Sequence, residues 1–388
     1  MKIVFLCTSL APGRDGVGDY VRQLAGACGA AGHTCLLVAL HDRHLASPSA
    51  LVQRGNEVRF SATLTWARCA HLLADLLRDF DPHWISWQIV PYGFHPKGFL
   101  PIGCFALIEA VRAWPNHVML HELWLGLARS DTIRPRLIGG LQRRRLLSFL
   151  QRLRPSGLHT TNEAYQLALA RQGWLAELLP LFGNIPVAPV QRAGAVATLE
   201  TMAGSALPRE PRYVGVIFGT VHPQWHPEAT LTWLREVAKI TGRAVVLLSV
   251  GRAGAHGAKL LAQLAGPSSD ISFITLGQQA PEMISPLLQA ADFGLATHPW
   301  ALLEKSGTTV SLLEHGLPVL VPRDDWAPRD GTITAERDPL LRKMQDFPPA
   351  EFESWLRLRR TPVAQLSSIA LTFLAQLSGP AVRGALVA

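Results

Sequence analysis

Short uninterrupted apolar runs alternate along this chain with longer stretches in which apolar residues recur every three or four positions. The runs at 2–7, 33–40, 83–90, 117–120 and 158–161 read as strands, the first of them buried on both faces. Between them, Val21, Leu24, Ala25, Cys28 and Ala31 share one face of a helix ending near Gly32. Leu72, Leu73, Leu76 and Leu77 do the same over 67–80, where Asp81-Pro82 breaks the helix. Helices are also predicted over 105–114 and 162–171. A second series begins with the strand 213–218 and continues with strands at 244–249, 271–275, 293–296 and 317–321. Its helices are expected at about 228–241, at 283–291 with Pro286 in the first turn, and at 310–314, 338–344 and 350–357. A last helix, 365–377, carries Leu366, Ile369, Ala370, Phe373 and Leu377 on one side. This alternation predicts an α/β protein with two parallel sheets.

A chain of 388 residues is too long for one core. The expected division is a domain over 1–187, an interdomain region over 188–212, a second domain over 213–364, and a returning helix with a loose tail over 365–388. No run is long and apolar enough to span a bilayer, and the N-terminal run is too short for a signal peptide. The cysteines Cys7, Cys28, Cys35, Cys69 and Cys104 are odd in number and lack metal-ligand spacing, which reads as reduced thiols in the cytoplasm.

Charge changes the picture in one half only. Residues 1–187 hold 19 Lys and Arg against 12 Asp and Glu, whereas the remainder holds 18 against 17. A basic half suggests an anionic partner. The most basic segment carries Arg134, Arg136, Arg143, Arg144, Arg145, Arg152 and Arg154, with leucines at helical spacing. Two readings stand: an ordinary amphipathic helix with a solvated arginine face, or peripheral contact with an anionic membrane, at its inner face. The segment has no aromatic interleaving and no binding motif, so no nucleic-acid partner is expected.

Three places carry candidate chemistry. Lys305, Ser306, Gly307, Thr308 and Thr309 form a polar loop feeding a helix start, where orphan N–H groups, the helix dipole and a cation suit an anion. The plainer alternative is a Ser N-cap beside an exposed lysine. Gly16-Val17-Gly18 fails as a dinucleotide fingerprint, because Val21 stands at the third glycine and eight residues separate Cys7 from Gly16; Asp42 alone does not rescue it. The expected reading is a mobile loop open to a ligand, with Asp19 and Tyr20 at the helix start. His121 and Glu122 end a strand on the side where open parallel sheets bind ligands, so His121 is a candidate base or donor. The alternative is a capping pair.

In order, the pieces Gly16-Val17-Gly18-Asp19-Tyr20, Trp87 to Phe94, His121-Glu122, Asn184-Ile185-Pro186, Phe218-Gly219-Thr220 and Lys305 to Val319 resemble the GT-B retaining glycosyltransferases. The family in question contains sucrose synthases and phosphatidylinositol mannosyltransferases. The resemblance implies two Rossmann-like domains facing a cleft, with a C-terminal helix crossing back to the first. It implies a nucleoside-diphosphate sugar as co-substrate, no further cofactor, and transfer with retention to a glycan, lipid-linked or small-molecule acceptor. It places His121, Glu122 and Lys305 at the reaction. The implied donor-binding set is Gly16, Gly18, Gly219, Thr220, His222, Arg252, Gly277, Ser306, Gly307, Thr308, Thr309 and Glu314. Asp19, Tyr20 and Tyr92 fall on the acceptor side. Departures are visible: the Glu-x7-Glu pair is incomplete, with Ser306 or Leu303 at the first acid and Glu314 or Ser311 at the second. The basic pair after the first strand of the second domain is replaced by Thr220, His222 and His226. No DxD motif is present, since Asp324 and Asp325 are adjacent, so no metal is expected. A degenerate binding protein and an NAD-type oxidoreductase are the alternative readings.

Overall fold

A computed structural model describes residues 1–45, 51–208, 211–264 and 271–379. The chain divides into two compact units. One comprises Met1–Pro180, Pro328–Ile333 and the chain from Leu366 on; the other comprises Leu181–Ala327 and Thr334–Gln365.

The first unit is built on an eight-stranded sheet: β1 (Lys2–Cys7), β2 (Thr34–Asp42), β3 (Leu51–Arg54), β4 (Glu57–Ser61), β5 (Trp84–Ile89), β6 (Asn116–Leu120), β7 (Gly157–Thr160) and β8 (Glu177–Leu178). Their spatial order is β3-β4-β2-β1-β5-β6-β7-β8. All neighbours are parallel except the β3–β4 hairpin, which the apolar pattern did not reveal. Strand order reverses between β1 and β5, so their carboxyl ends form a switch point.

The helices are α1 (Gly16–Ala30), α2 (Trp66–Phe80), α3 (Pro91–Phe94), α4 (Ala106–Val111), α5 (Ile133–Leu153) and α6 (Glu163–Ala170). Helix α2 starts where the Thr65 hydroxyl accepts the Arg68 N–H and ends where Asp81 turns left-handed ahead of Pro82. Helix α5 ends the same way at Arg154, ahead of Pro155. The glycines of 16–18 are not a mobile loop. They are the first turn of α1, whose Val17 and Gly18 N–H groups bond the Asp15 carboxylate. A side chain at Gly18 would collide with the Ser9 carbonyl, so this glycine lets α1 lie against the chain leaving β1.

The second unit carries β9 (Arg212–Phe218), β10 (Ala244–Val250), β11 (Ile271–Gly277), β12 (Phe293–Leu295), β13 (Val319–Val321) and β14 (Leu341–Lys343), ordered β11-β10-β9-β12-β13-β14. Its switch point lies between β9 and β12. Helices α7 (Arg192–Ala203), α8 (Glu228–Thr241), α9 (Gly254–Leu264), α10 (Pro281–Ala290), α11 (Gly307–Glu314) and α12 (Phe352–Leu356) surround the sheet. The stretch expected as interdomain contains α7, whose Ala195 and Leu199 join the buried cluster with Leu287 and Leu288 of α10. Two local expectations are corrected. Pro286 lies in the middle of α10. Residues 338–344 contain strand β14, extended by parallel pairing with β13, which overrides local helix preference.

Helix α13 (Leu366–Ser378) returns to the first unit. Ile369, Ala370, Phe373, Leu374 and Leu377 are buried, and Phe373 meets Phe5 of β1 at 5.7 Å and His117 of β6 at 5.2 Å. Four large side chains at about 1.5–3 kcal/mol each supply on the order of 6–12 kcal/mol, before the entropy of ordering the helix. Of the expected loose tail, residues 380–388 lie outside the described residues. All five cysteines are buried and unbridged. No described helix is long and apolar enough to cross a membrane.

Candidate functional site

In the second unit the candidate residues converge at the carboxyl ends of β9 and β12, on the switch point. Gly219, Gly251 and Gly277 follow β9 and β10 and end β11 with φ of +76°, +96° and +67°. They pack backbone on backbone: Gly219 N–H bonds Val250 O at 2.8 Å and Gly251 N–H bonds Gly277 O at 2.7 Å. A β-carbon on Gly219 would lie 2.6 Å from the Thr308 methyl, so the missing side chain lets the β9 loop meet the start of α11.

At that start Ser306 is the N-cap, its hydroxyl accepting the Thr309 N–H at 3.3 Å and the Thr309 hydroxyl at 3.0 Å. Among the described residues no acceptor meets the Gly307 and Thr308 N–H groups, and the nearest atom to a β-carbon position on Gly307 is Asn184 Cγ at 4.0 Å. Orphan N–H groups at a helix start favour an anion. Lys305 precedes this turn, and its charge is felt at both His222 and His298.

The histidines answer for the missing basic pair. The His222 N–H bonds the Thr297 hydroxyl at 3.0 Å, tying the β9 loop to the β12 loop across the switch point. Its ring Nδ1 lies 2.6 Å from Arg323 Nη1 and 3.2 Å from the Gln224 N–H. Both neighbours can only donate, so Nδ1 is the acceptor and the proton sits on Nε2. Burial, then Arg323, opposed by Asp325, and then Lys305 push His222 down to about 4. His298 stands 5.7 Å away, edge to face, and is likewise held at about 4, by burial first and then by His222, Lys305 and Arg323. At neutral pH both rings are therefore uncharged, and His222 is a fixed Nε2–H donor. Arg323 itself is buried, bonded to Asp325 at 2.9 and 2.6 Å and to Gln224 at 3.1 Å. The sequence reading missed Arg323; the only signal for it is its place just after β13.

The two carboxylates considered for the donor are engaged elsewhere. Glu314 Oε1 accepts the N–H groups of Gly183 (2.9 Å) and Gln365 (3.1 Å), clamping the two ends of this unit's chain. Burial pushes its carboxyl above the usual range, against the lowering from those N–H groups. Both bonds fall on the one oxygen, so Glu314 clamps backbone through Oε1. Glu304 is paired with Arg337. Ser311, the alternative second position, bonds Asn184 through its hydroxyl. Thr220 bonds the Arg252 carbonyl at 3.4 Å, which joins those two residues at the β9 and β10 loops.

In the first unit His121 follows β6 and is nearly buried. Its Nε2 lies 2.8 Å from Gln88 Oε1, which opens a chain through the sheet. Gln88 Nε2 donates to Ser86 Oγ (2.8 Å), Ser86 Oγ meets His117 Nδ1 (2.8 Å), and His117 Nε2 meets His159 Nδ1 (2.8 Å). His159 Nε2 then faces Glu177 Oε2 at 3.5 Å. An amide oxygen only accepts, so the Gln88 Oε1 contact places a proton on His121 Nε2. His121 is thereby an Nε2–H tautomer whose Nδ1 offers a lone pair. Burial lowers it to about 3. At neutral pH the ring is therefore uncharged.

Tyr20 meets His121 edge to face at 4.8 Å. Asp19 accepts the Gly13 N–H and contacts Arg22, which gives it a structural role. Gly18 packs closely on the Ser9 carbonyl, whereas nothing lies within 4 Å of a β-carbon position on Gly16. Asp42 is buried and accepts Ser9 Oγ, Leu10 N, His44 N and Arg59 Nε, which removes it as a cofactor ligand. The Tyr92 hydroxyl lies 3.5 Å from Gln142 Nε2. Glu122 is half-exposed at the mouth of the same β6 loop.

The sequence matches no protein-family model and no curated protein. Solved structures do align along nearly the whole chain. HepE of Anabaena, solved with UDP and glucose, aligns with a TM-score of 0.57 and 16% identity over 97% of this chain and 98% of its own. The catalytic domain of starch synthase IV from Arabidopsis thaliana, bound to ADP and acarbose, aligns at 0.56 and 11% identity over 97% and 98%. A UDP-GlcNAc 2-epimerase from Methanocaldococcus jannaschii aligns at 0.49 and 11% over 98% and 100%. What such identities establish is the architecture, and the chain is built on the two-unit Rossmann-like GT-B fold.

Proposed function

We propose that the protein is a glycosyltransferase moving a sugar from a nucleoside-diphosphate sugar to an acceptor, with retention and without a required metal. The observation that carries this reading is the cluster at the second switch point: the open first turn of α11, Lys305, and His222 held as a neutral donor. Cleaving a glycosyl phosphate leaves charge on the departing diphosphate, and fixed donors and a cation aimed there lower the barrier. HepE and starch synthase IV, which share the fold, were solved with UDP and ADP respectively, which supports a nucleoside diphosphate as the anion. Gly219, Gly251 and Gly277 would let the nucleotide approach the backbone. In the first unit, the His121 Nδ1 lone pair would accept a hydroxyl from the sugar or the acceptor, with Tyr20 against its ring and Glu122 next in the chain; Tyr92 would serve the acceptor from the start of α3. Retention would follow from front-face attack, with no protein nucleophile.

A binding protein without turnover is the second reading, and the engagement of Glu304 and Glu314 favours it. Calorimetry with UDP, GDP and ADP, followed by turnover assays over a panel of their sugars with anomeric analysis of the product, separates the two. Binding with transfer supports the proposal, and binding without transfer supports the second reading. No binding of any nucleotide would sink both. Lys305→Ala should weaken nucleotide binding about tenfold or more, the loss of one charge-assisted contact; unchanged affinity removes Lys305 from the site.

A further inference from the structure

Helix α5 turns an apolar stripe to solvent. Ile133, Leu137 and Leu141 lie four residues apart, hence on one face. They are 73%, 71% and 50% exposed. Single exposed aliphatics are ordinary, but three in register form an unpartnered surface. The face α5 buries is a different one, formed by Gln142, Leu146, Phe149, Leu150 and Leu153. At about 100° per residue, Arg134 and Arg145 flank the stripe on one side and Arg136 and Arg143 on the other. Arg144 continues it toward the helix end. The helix contains no Asp or Glu. Among the described residues none of these five arginines is ion-paired with a carboxylate; Arg136 bonds the Arg129 carbonyl instead, at 3.2 Å. Arg134 and Arg136 also stand at the positive end of the helix dipole, where cations are unfavourable. Neither folding nor intrahelical electrostatics accounts for them.

We propose that this face docks on an anionic lipid surface. The three aliphatic side chains enter the acyl boundary while the flanking guanidinium groups reach headgroup phosphates. An apolar centre with cations on both flanks is the division an interfacial helix makes. A nucleic-acid backbone would have no use for the aliphatic row, and a purely charge-matched acidic protein would leave it unexplained. The inference is independent of the proposed reaction.

The test is flotation of the full chain with phosphatidylcholine vesicles, with or without phosphatidylglycerol, at low and high salt. Binding should require the anionic lipid and weaken with salt. Arg134→Gln with Arg136→Gln should reduce it roughly 25-fold, at about fivefold per basic residue near the surface. Leu137→Gln with Leu141→Gln should reduce it at least about tenfold at unchanged thermal stability. Leu371→Gln, which alters a 60% exposed leucine on α13, should have no effect. Equal binding to neutral vesicles, no binding, or indifference to the leucine pair overturns the proposal. Stronger binding to polyglutamate or single-stranded DNA than to vesicles, insensitive to the leucines, reassigns the face to an acidic macromolecule.

Discussion

Replacing Arg323 by Leu should release the His222 ring. In the folded chain that ring titrates at about 4 rather than the ordinary 6.5, with burial as the largest cause and Arg323 the next. A full charge about 4 Å away is worth about 1 kcal/mol in water and about 4 kcal/mol at an effective dielectric of 20, or roughly 0.7 to 3 pH units. Because burial is the larger cause and persists in the variant, the Arg323 share falls at the low end. Asp325, which pulls the other way, stays in place. The His222 midpoint should therefore rise by about one pH unit, roughly tenfold in proton affinity. Arg323→Lys keeps the charge and should move it less.

Long-range proton–nitrogen spectra of the imidazoles, titrated from pH 3.5 to 8 (a range that brackets the midpoints), read this directly. The His222 signal is identified by its loss in His222→Gln. In the parent protein it should show the Nε2–H form down to about pH 4. A parent ring protonated on Nδ1, or a midpoint unmoved in a folded Arg323→Leu variant, would refute the reasoning. Neither measurement depends on the donor sugar.

Phe373→Ala removes a fully buried ring between Phe5 and His117 and should cost about 3–5 kcal/mol, lowering the melting temperature by about 10 °C. A loss below about 1 kcal/mol would mean that α13 is not anchored on the first unit. Gln88→Leu strands the His121 Nε2–H and should cost about 1–3 kcal/mol in chemical denaturation. In a transfer assay it should lower kcat more than donor KM, and Gln88→Glu, which restores an acceptor, should recover part of the loss.

The strands were legible because both faces of a parallel sheet are buried: Lys2–Cys7 and Arg212–Phe218 announce themselves as apolar runs. So was the buried face of α13. The hairpin of β3 and β4 was not, because its outer strand is half-exposed and polar. Strand β14 was misread as helix, because its pairing with β13 is not written in its own three residues. At the site, the sequence brought out Lys305, the 306–309 turn, His222 and His121 as residue types at strand or helix ends. It did not show how Glu314 and the Gly16 turn are held: partners far away in the chain, Gly183 and Gln365, take up one Glu314 oxygen, and the neighbouring Asp15 caps the turn.

By itself, then, the sequence determined the class, the two parallel sheets and the loops that end their strands, since periodicity and glycine placement act locally. Only the tertiary structure decided what those loops' side chains are. Arg323, 101 residues from His222, fixes the proton on that ring. Gln88, 33 residues from His121, fixes the proton on that ring through its amide oxygen. Tautomer and charge are set by whichever donors and acceptors burial brings together, and no spacing along the chain encodes that.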